Sequence, residues 1–466
     1  MADARLFFSQ ERFEDGEKLL VRLIELPSFA TLPTLERYRT LELAGRAELA
    51  LGRKRKAYTY LARASALREA TIEDVALELR TADQLDDAGL KVATLALLIT
   101  RWPERLADIK DEYIEQLLAA KTGLPHGATL PLLEALYAAH WKMRWGIEPS
   151  GDWRDLTLLL LERHRLDEAI DVSAHAIDPY ILVSMRADRR FDPVTAANAQ
   201  RFDIAAAQSR WIELLQSKDG EATKSLEMKD MLIDALIAEQ RYGVALAIAD
   251  SVADDIRSTN YPERLYVDYE AEHADFLRER ALVLEHLGRW DDALTELTRA
   301  TPMFEQGRDN VSAVIELGQL YCDLGHPSEG LHTIDAVGAS LSAFGIMQVQ
   351  AVRLDAASQL GDARQVKRSL DYLREHRSDG AGSYLWALLA LDRADAAAAE
   401  LITELRDEDE RADALVTVQE YLPAPGTPRE LERYVRWRSL VARTDVQAEI
   451  RRVGRTDRYP LEVTFR

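Results

Sequence analysis

Apolar positions recur along this chain at intervals of three and four and seldom at two. That is the period of a helix with one buried face. Gly and Pro punctuate the periodic blocks at short intervals, as turn residues do. The pattern predicts about twenty helices, mostly of about 10–18 residues, and almost no strand. A longer period overlies the short one. In "ALVLEHLGRWDDALTELTRA" (281–300) and "GQLYCDLGHPSEGLHTIDAV" (318–337), a small residue is followed seven positions later by Gly288 or Gly325. Five further on comes Ala293 or Gly330, and seven after that Ala300 or Val337. Gly288 and Gly325 lie 37 residues apart. Such a unit describes two antiparallel helices, with small residues where the backbones cross and a turn former between them.

The same spacing returns in "GRAELALGRKRKAYTYLARA" (45–64), through Gly45, Gly52, Ala57, Leu61 and Ala64. It returns in 157–176 through Leu166, Ala169 and Ala176, and in 233–252 through Tyr242, Ala245 and Val252. Residues 354–373 carry it through Gly361, Val366, Leu370 and Leu373, and 385–404 is a compact late copy. Weaker copies occupy 11–23 and 76–95. These residues resemble the tetratricopeptide repeat family over about three quarters of the chain. The family's Gly–x–aromatic step is clearest at Gly288 and Trp290, and its Leu–Gly–x–x–Tyr step at Leu317, Gly318 and Tyr321. The proline that often closes the second helix is replaced by Glu69, Ile181, Glu305 and Ser342. The resemblance implies an all-α fold, an α-solenoid of stacked antiparallel helix hairpins wound into a right-handed superhelix.

Two stretches break the rhythm. Between Thr122 and Asp152, one helix (about 130–145) is expected between Gly/Pro-rich turns, its apolar face carrying Leu133, Leu136, Tyr137, His140, Trp141 and Trp145. Aromatics at that spacing are more often core than a ligand shelf. Between Asp178 and Val194, Asp192–Pro193 interrupts any long helix. Residues 258–280 suggest one lengthened helix over about 262–287, with Asn260 as its cap and Pro262 in its first turn. The organisation expected is hairpins over 1–121, an irregular joint over 122–220, the most regular array over 221–404, and capping helices with an extended tail over 405–466. The softest joint falls near 120–152 or 178–193.

The net charge of the 466 residues is −21. Such a surface repels phosphate backbones and anionic membranes, so no nucleic acid is expected as a partner. Cys322 is the single cysteine and cannot close an intramolecular disulfide. No apolar run approaches the ~18 residues of a membrane span. Residues 1–10 lack the features of a signal peptide. A cytoplasmic protein is therefore expected, or a periplasmic one if a leader has been removed. Residues 429–458 depart from this character, with nine Arg against five Asp and Glu. A last helix is expected over about 445–453, and "YPLEVTFR" (459–466) alternates like a strand with no obvious partner. This end reads as a polar cap for the array, or as a docking segment that could enter the acidic groove of a second copy and make a homodimer.

Catalytic signatures are missing. The chain has no GxGxxG, GxxxxGK[ST], HExxH or GxSxG. His273 and His286 are thirteen residues apart, and His164 and His175 eleven, whereas two histidine ligands on one helix want three or four. Neither a cofactor, a metal nor an enzymatic activity is expected, a helical hydrolase or transferase being the residual exception. The resemblance instead implies a binding face lined by the first helix of each hairpin. On this chain its positions include Asp230, Asp234, Arg278, Glu279, Glu316, Gln319, Asp323 and Asp355. One subfamily grips chaperone-tail carboxylates with Lys and Asn. The matching positions here are Asp230, Asp234, Arg278, Leu282, Ile315 and Gln319, so that clamp is absent. An acidic face with Arg278 as its lone cation favours a basic or amphipathic protein segment. The function expected is a protein-interaction scaffold, the alternative a peptide- or small-molecule-sensing module.

Overall fold

The computed structural model describes residues 12–119, 123–219, 224–305, 308–337 and 341–463. The leader question at residues 1–10, the first residue of the weak copy at 11–23, Thr122 and the last three residues of the strand-like tail lie outside them. Chain contacts divide the protein into two units, Met1–Ala176 and Ile177–Arg466.

In the first unit, α1 (Phe13–Glu25) packs on α2 (Thr34–Ala50), which pairs with α3 (Lys54–Ser65). Hairpin α4 (Ile72–Leu85) and α5 (Ala88–Arg101) follows. Thr71 and Asp74 form a reciprocal capping box at the start of α4, with Asp74 Oδ2 accepting the Thr71 N–H at 2.8 Å. Then come α6 (Asp111–Ala119), α7 (Leu130–Ala138), and hairpin α8 (Ser150–Glu162) with α9 (Leu166–Ser173).

The helix expected over 130–145 ends at Ala138, because His140 is left-handed (φ 54°) and turns the chain. Trp141 and Trp145 therefore share no helix face. Trp141 is buried and its indole N–H donates to Asp111 at 3.0 Å. Trp153 does the same to Glu148 at 3.0 Å. Each ring is an apolar wedge whose polar edge has found a carboxylate, so Trp141 is core. Trp145, itself left-handed (φ 66°), lies in a 3-10 turn.

The second unit opens with α10 (Pro179–Ala187), α11 (Asp192–Ala197) and α12 (Ile204–Asp219). Five hairpins follow: α13 (Leu226–Ala238) with α14 (Tyr242–Arg257), α15 (Tyr269–His286) with α16 (Trp290–Ala300), and α17 (Val311–Asp323) with α18 (Pro327–Asp335). The fourth is α19 (Ala343–Leu360) with α20 (Ala363–Glu375), and the fifth α21 (Ala381–Ala390) with α22 (Ala394–Arg406). The chain ends through α23 (Arg411–Thr417), α24 (Pro428–Val441) and α25 (Thr444–Val453). The last helix thus falls one residue from its expected start. A short antiparallel pair that the sequence does not signal, β1 (Phe304–Glu305) with β2 (Arg308–Asp309), joins α16 to α17.

The repeat period has one physical origin. The reversing residue of each hairpin is left-handed: Gly288 at φ 70° and Gly325 at φ 81°, but also His164 at 59°, Gln240 at 57° and Asp392 at 55°. The next N–H then bonds back five residues, as from Arg289 to the Leu284 carbonyl at 2.8 Å and from His326 to Tyr321 at 2.8 Å. Glycine takes this conformation without cost, and the other residues hold it against about 1–2 kcal/mol. Five residues later Ala57, Ala169, Ala245, Ala293 and Ala397 are wholly buried at the crossing. In the α17–α18 hairpin the helices meet at Gly318 and Gly330. A Cβ on Gly330 would lie 2.8 Å from the Gly318 carbonyl, and one on Gly318 2.7 Å from Ile334.

The lengthened helix expected over 262–287 does not form. Pro262–Arg264 makes one 3-10 turn, Tyr266 is buried, and α15 starts at Tyr269. Asp268 is the cause. Its carboxylate accepts from Ser225 Oγ (2.6 Å) and from the N–H groups of Leu226 (2.9 Å) and Glu227 (3.2 Å). It thereby satisfies the open N-terminus of α13, a helix 41–43 residues earlier in the chain. With 18 residues, α15 matches α19 and is not exceptional.

Candidate functional site

The first helices α13, α15, α17 and α19 lie side by side, and spacings of three and four bring their polar residues onto one face. The structure gathers the expected residues into separate groups. Arg278 is locked in place. Its Nε and Nη2 donate to both Glu316 oxygens at 3.0 and 2.6 Å, and its Nη1 donates to Asp275. Asp230 faces a different environment. Burial, and then the negative charges of Glu279, Asp275, Glu272 and Asp268, hold its carboxyl well above the usual carboxylate range. Its buried Oδ1 has no hydrogen-bond partner among the described residues. Asp234 is exposed one turn further along α13.

Gln319, Asp323 and Asp355 form the third group. Gln319 Nε2 donates to Asp323 at 3.0 Å and reaches Asp355 at 3.5 Å. Both carboxylates are buried, and their charges are met from α24. Arg433 Nη1 donates to Asp323 and lies 3.9 Å from Asp355, while Arg429 Nη2 donates to Asp355 at 3.3 Å. Burial pushes the Asp323 carboxyl up, against the pull of Arg433. The basic segment that could enter the groove of a second copy thus lies on the acidic face of its own chain. The opposite end of α24 anchors it, since Trp437, Leu440 and Val441 are core residues.

A second polar site went unread in the sequence. Residues 457–463 run beside 419–422. The Glu420 N–H donates to the Asp457 carbonyl (3.0 Å), Tyr459 to Glu420 (2.8 Å), and Leu422 to Leu461 (2.8 Å). The strand-like alternation of 459–463 therefore has a partner, with Glu420 and Arg458 paired in parallel. Tyr459 and Leu461 are buried. Beyond them the Glu462 N–H donates to the Ala238 carbonyl at 2.8 Å. The Glu462 side chain, 3% exposed, accepts from Tyr242 Oη and from Gln240 Nε2 (3.0 Å), and lies 2.6 Å from His286 Nε2. His286 Nδ1 donates to the Leu282 carbonyl at 2.7 Å, while its Nε2 lies close to Glu462 Oε1 without the alignment of a hydrogen bond. Burial opposes a charge on the ring, but Glu462, the Leu282 carbonyl and Glu285 outweigh it and hold the His286 pKa above its ordinary value. His286 is the last residue of α15, the first helix of its hairpin. Gln240 is the turn residue and Tyr242 opens α14, and only the alternation of the tail pointed toward Glu462.

No described helix is long and apolar enough to cross a membrane. No protein-family model matches the chain, and no curated protein matches it. Among solved structures the chain is similar to one in the APC/C hetero-tetramer Cut9–Hcn1, at 10% identity over 96% of this chain and 88% of that one, with a TM-score of 0.32. It is similar also to the P58(IPK) TPR domain, at 12% identity over 84% and 97%, with a TM-score of 0.21. Neither superposition carries an argument. The hairpins themselves do, through the left-handed turn, the five-residue return bond and the small-residue crossing: the architecture is an all-α array of tetratricopeptide-like hairpins.

Proposed function

We propose that this protein is a protein-interaction scaffold whose acidic face, along α13, α15, α17 and α19, holds a basic or amphipathic helical segment of a partner. One observation carries the reading. The chain lays such a segment on that face itself, with Arg429 and Arg433 of α24 on Asp355 and Asp323. Stacked hairpins provide extended surfaces for this purpose, and long-range attraction would bring a cationic partner in. Glu316, Asp323 and Asp355 serve internal arginines, so a variant at Asp234 on α13 and Glu279 on α15 changes the charge of the face without touching those contacts.

The test is affinity capture from source-cell extract by the full chain and by its Asp234→Lys/Glu279→Lys variant, quantified by mass spectrometry at low and high salt. A protein retained by the wild type should be released by salt and depleted about tenfold with the variant, corresponding to roughly 1.4 kcal/mol. Equal retention by a variant that melts like the wild type would sink the proposal.

A further inference from the structure

The pocket around Glu462 is built for a carboxylate. An imidazole (His286), a hydroxyl donor (Tyr242) and an amide donor (Gln240) converge on one buried side chain. They come from α15 and from the start of α14 with the turn before it, two neighbouring hairpins more than 170 residues earlier in the chain. The Tyr242 and His286 rings lie against each other at 5.1 Å. Gln240 is held independently, since its Nε2 also donates to the Pro423 carbonyl at 2.9 Å. Each donor thus has a second contact outside residues 457–463, and without an acceptor these buried polar groups would carry a desolvation cost.

What fills the pocket is an extended segment with no helix of its own. It is joined to the rest by main-chain bonds to Glu420, Leu422 and Ala238, two buried apolar side chains and one acidic side chain. Main-chain pairing of this kind accepts any extended chain, and the side-chain pockets select among them. The pattern selected is an aromatic residue, a spacer, an aliphatic residue and then an acid, seen here as Tyr459, Pro460, Leu461 and Glu462.

We propose that residues 457–463 occupy, within the chain, a groove that binds an extended acidic segment of this pattern on a partner protein, and that the two compete for it. This surface and its ligand's charge differ from those proposed above. Because the internal segment is tethered, it acts at an effective concentration in the millimolar range, so a partner enters only where it outbids the segment or where the segment is displaced.

The test uses the full chain and a fluorescent peptide, Asp-Arg-Tyr-Pro-Leu-Glu-Val. In Glu462→Lys, an ammonium group replaces the carboxylate among donors that need an acceptor, and expels the internal segment. That variant should bind the peptide about 10²-fold more tightly than the wild type. Adding His286→Ala, or replacing the peptide's Glu by Gln, should abolish the gain. If Glu462→Lys melts cooperatively and binds the peptide no better than the wild type, the proposal is overturned. Should Glu462→Lys fail to fold, the wild type decides. With millimolar peptide, the Tyr459 and Glu462 amides should exchange faster while that of Leu422 stays protected. Unchanged exchange at all three would overturn the competition.

Discussion

Arg433→Met tests whether α24 is held on the acidic face by charge. Asp323 is almost fully buried, and Arg433 is mostly so. At an effective dielectric constant of about 20, the 3.9 Å approach of Arg433 to Asp355 is alone worth about 4 kcal/mol before desolvation. Removing one partner of a buried pair typically costs about 3–5 kcal/mol, because the other charge is left in place. Arg433→Met should fall in that range. Arg429 remains near Asp355, but Asp323 loses the cation that opposes its burial. The double variant Arg433→Met/Asp323→Leu should recover most of the loss, since a packed apolar pair avoids desolvating two ions. The sign with pH follows. Without Arg433, the Asp323 carboxyl rises further above its ordinary value, so folding takes up a proton there, and the deficit of Arg433→Met should shrink as pH is lowered toward 5. Urea unfolding of the four members of the cycle measures this. Hydrogen exchange at α17 and α24 localises the effect, because a chain of two units need not unfold in one step. A cost below about 1 kcal/mol for Arg433→Met, additive with Asp323→Leu, would refute the reasoning.

Ala293→Trp should destabilise by about 1–3 kcal/mol or more, because Ala293 is wholly buried at the α15–α16 crossing; a neutral melting temperature would undo that crossing. Glu404 stands where other hairpins place Ala, Val or Leu, and burial, with Glu400 and Glu410 beside it and Arg377 opposing, pushes its pKa up to about 8. Its contribution is fully present below its ordinary 4.5 and is lost as pH rises through about 8, so the urea midpoint should fall across that window and Glu404→Gln should flatten the slope.

The hairpins were legible because everything that makes one lies within a single stretch of chain. Gly288 and Ala293 are five residues apart, and the bond that closes their turn spans five. The same logic covers His164, Gln240 and Asp392, where the turn is set by the flanking pattern and the residue tolerates it. The lengthened helix and the Trp141/Trp145 face do not form, for the opposite reason. Asp268 leaves the helical pattern to cap α13, and Trp141 to reach Asp111 on α6; each partner is invisible to local periodicity.

The candidate site divides along the same line. Periodicity on α13, α15, α17 and α19 placed the acidic residues on one face, since a helix repeats every 3.6 residues whatever packs against it. Which charges stay with the chain was decided by residues far away. Arg433 meets Asp323 across 110 positions, and Glu462 meets Tyr242 across 220. By itself, the sequence determined the hairpins, their crossings and an acidic face, through contacts that one helix or one turn can specify. Only the tertiary structure decided that α24 covers part of that face and that Glu462 fills a carboxylate pocket, because buried charges take the partners that packing delivers.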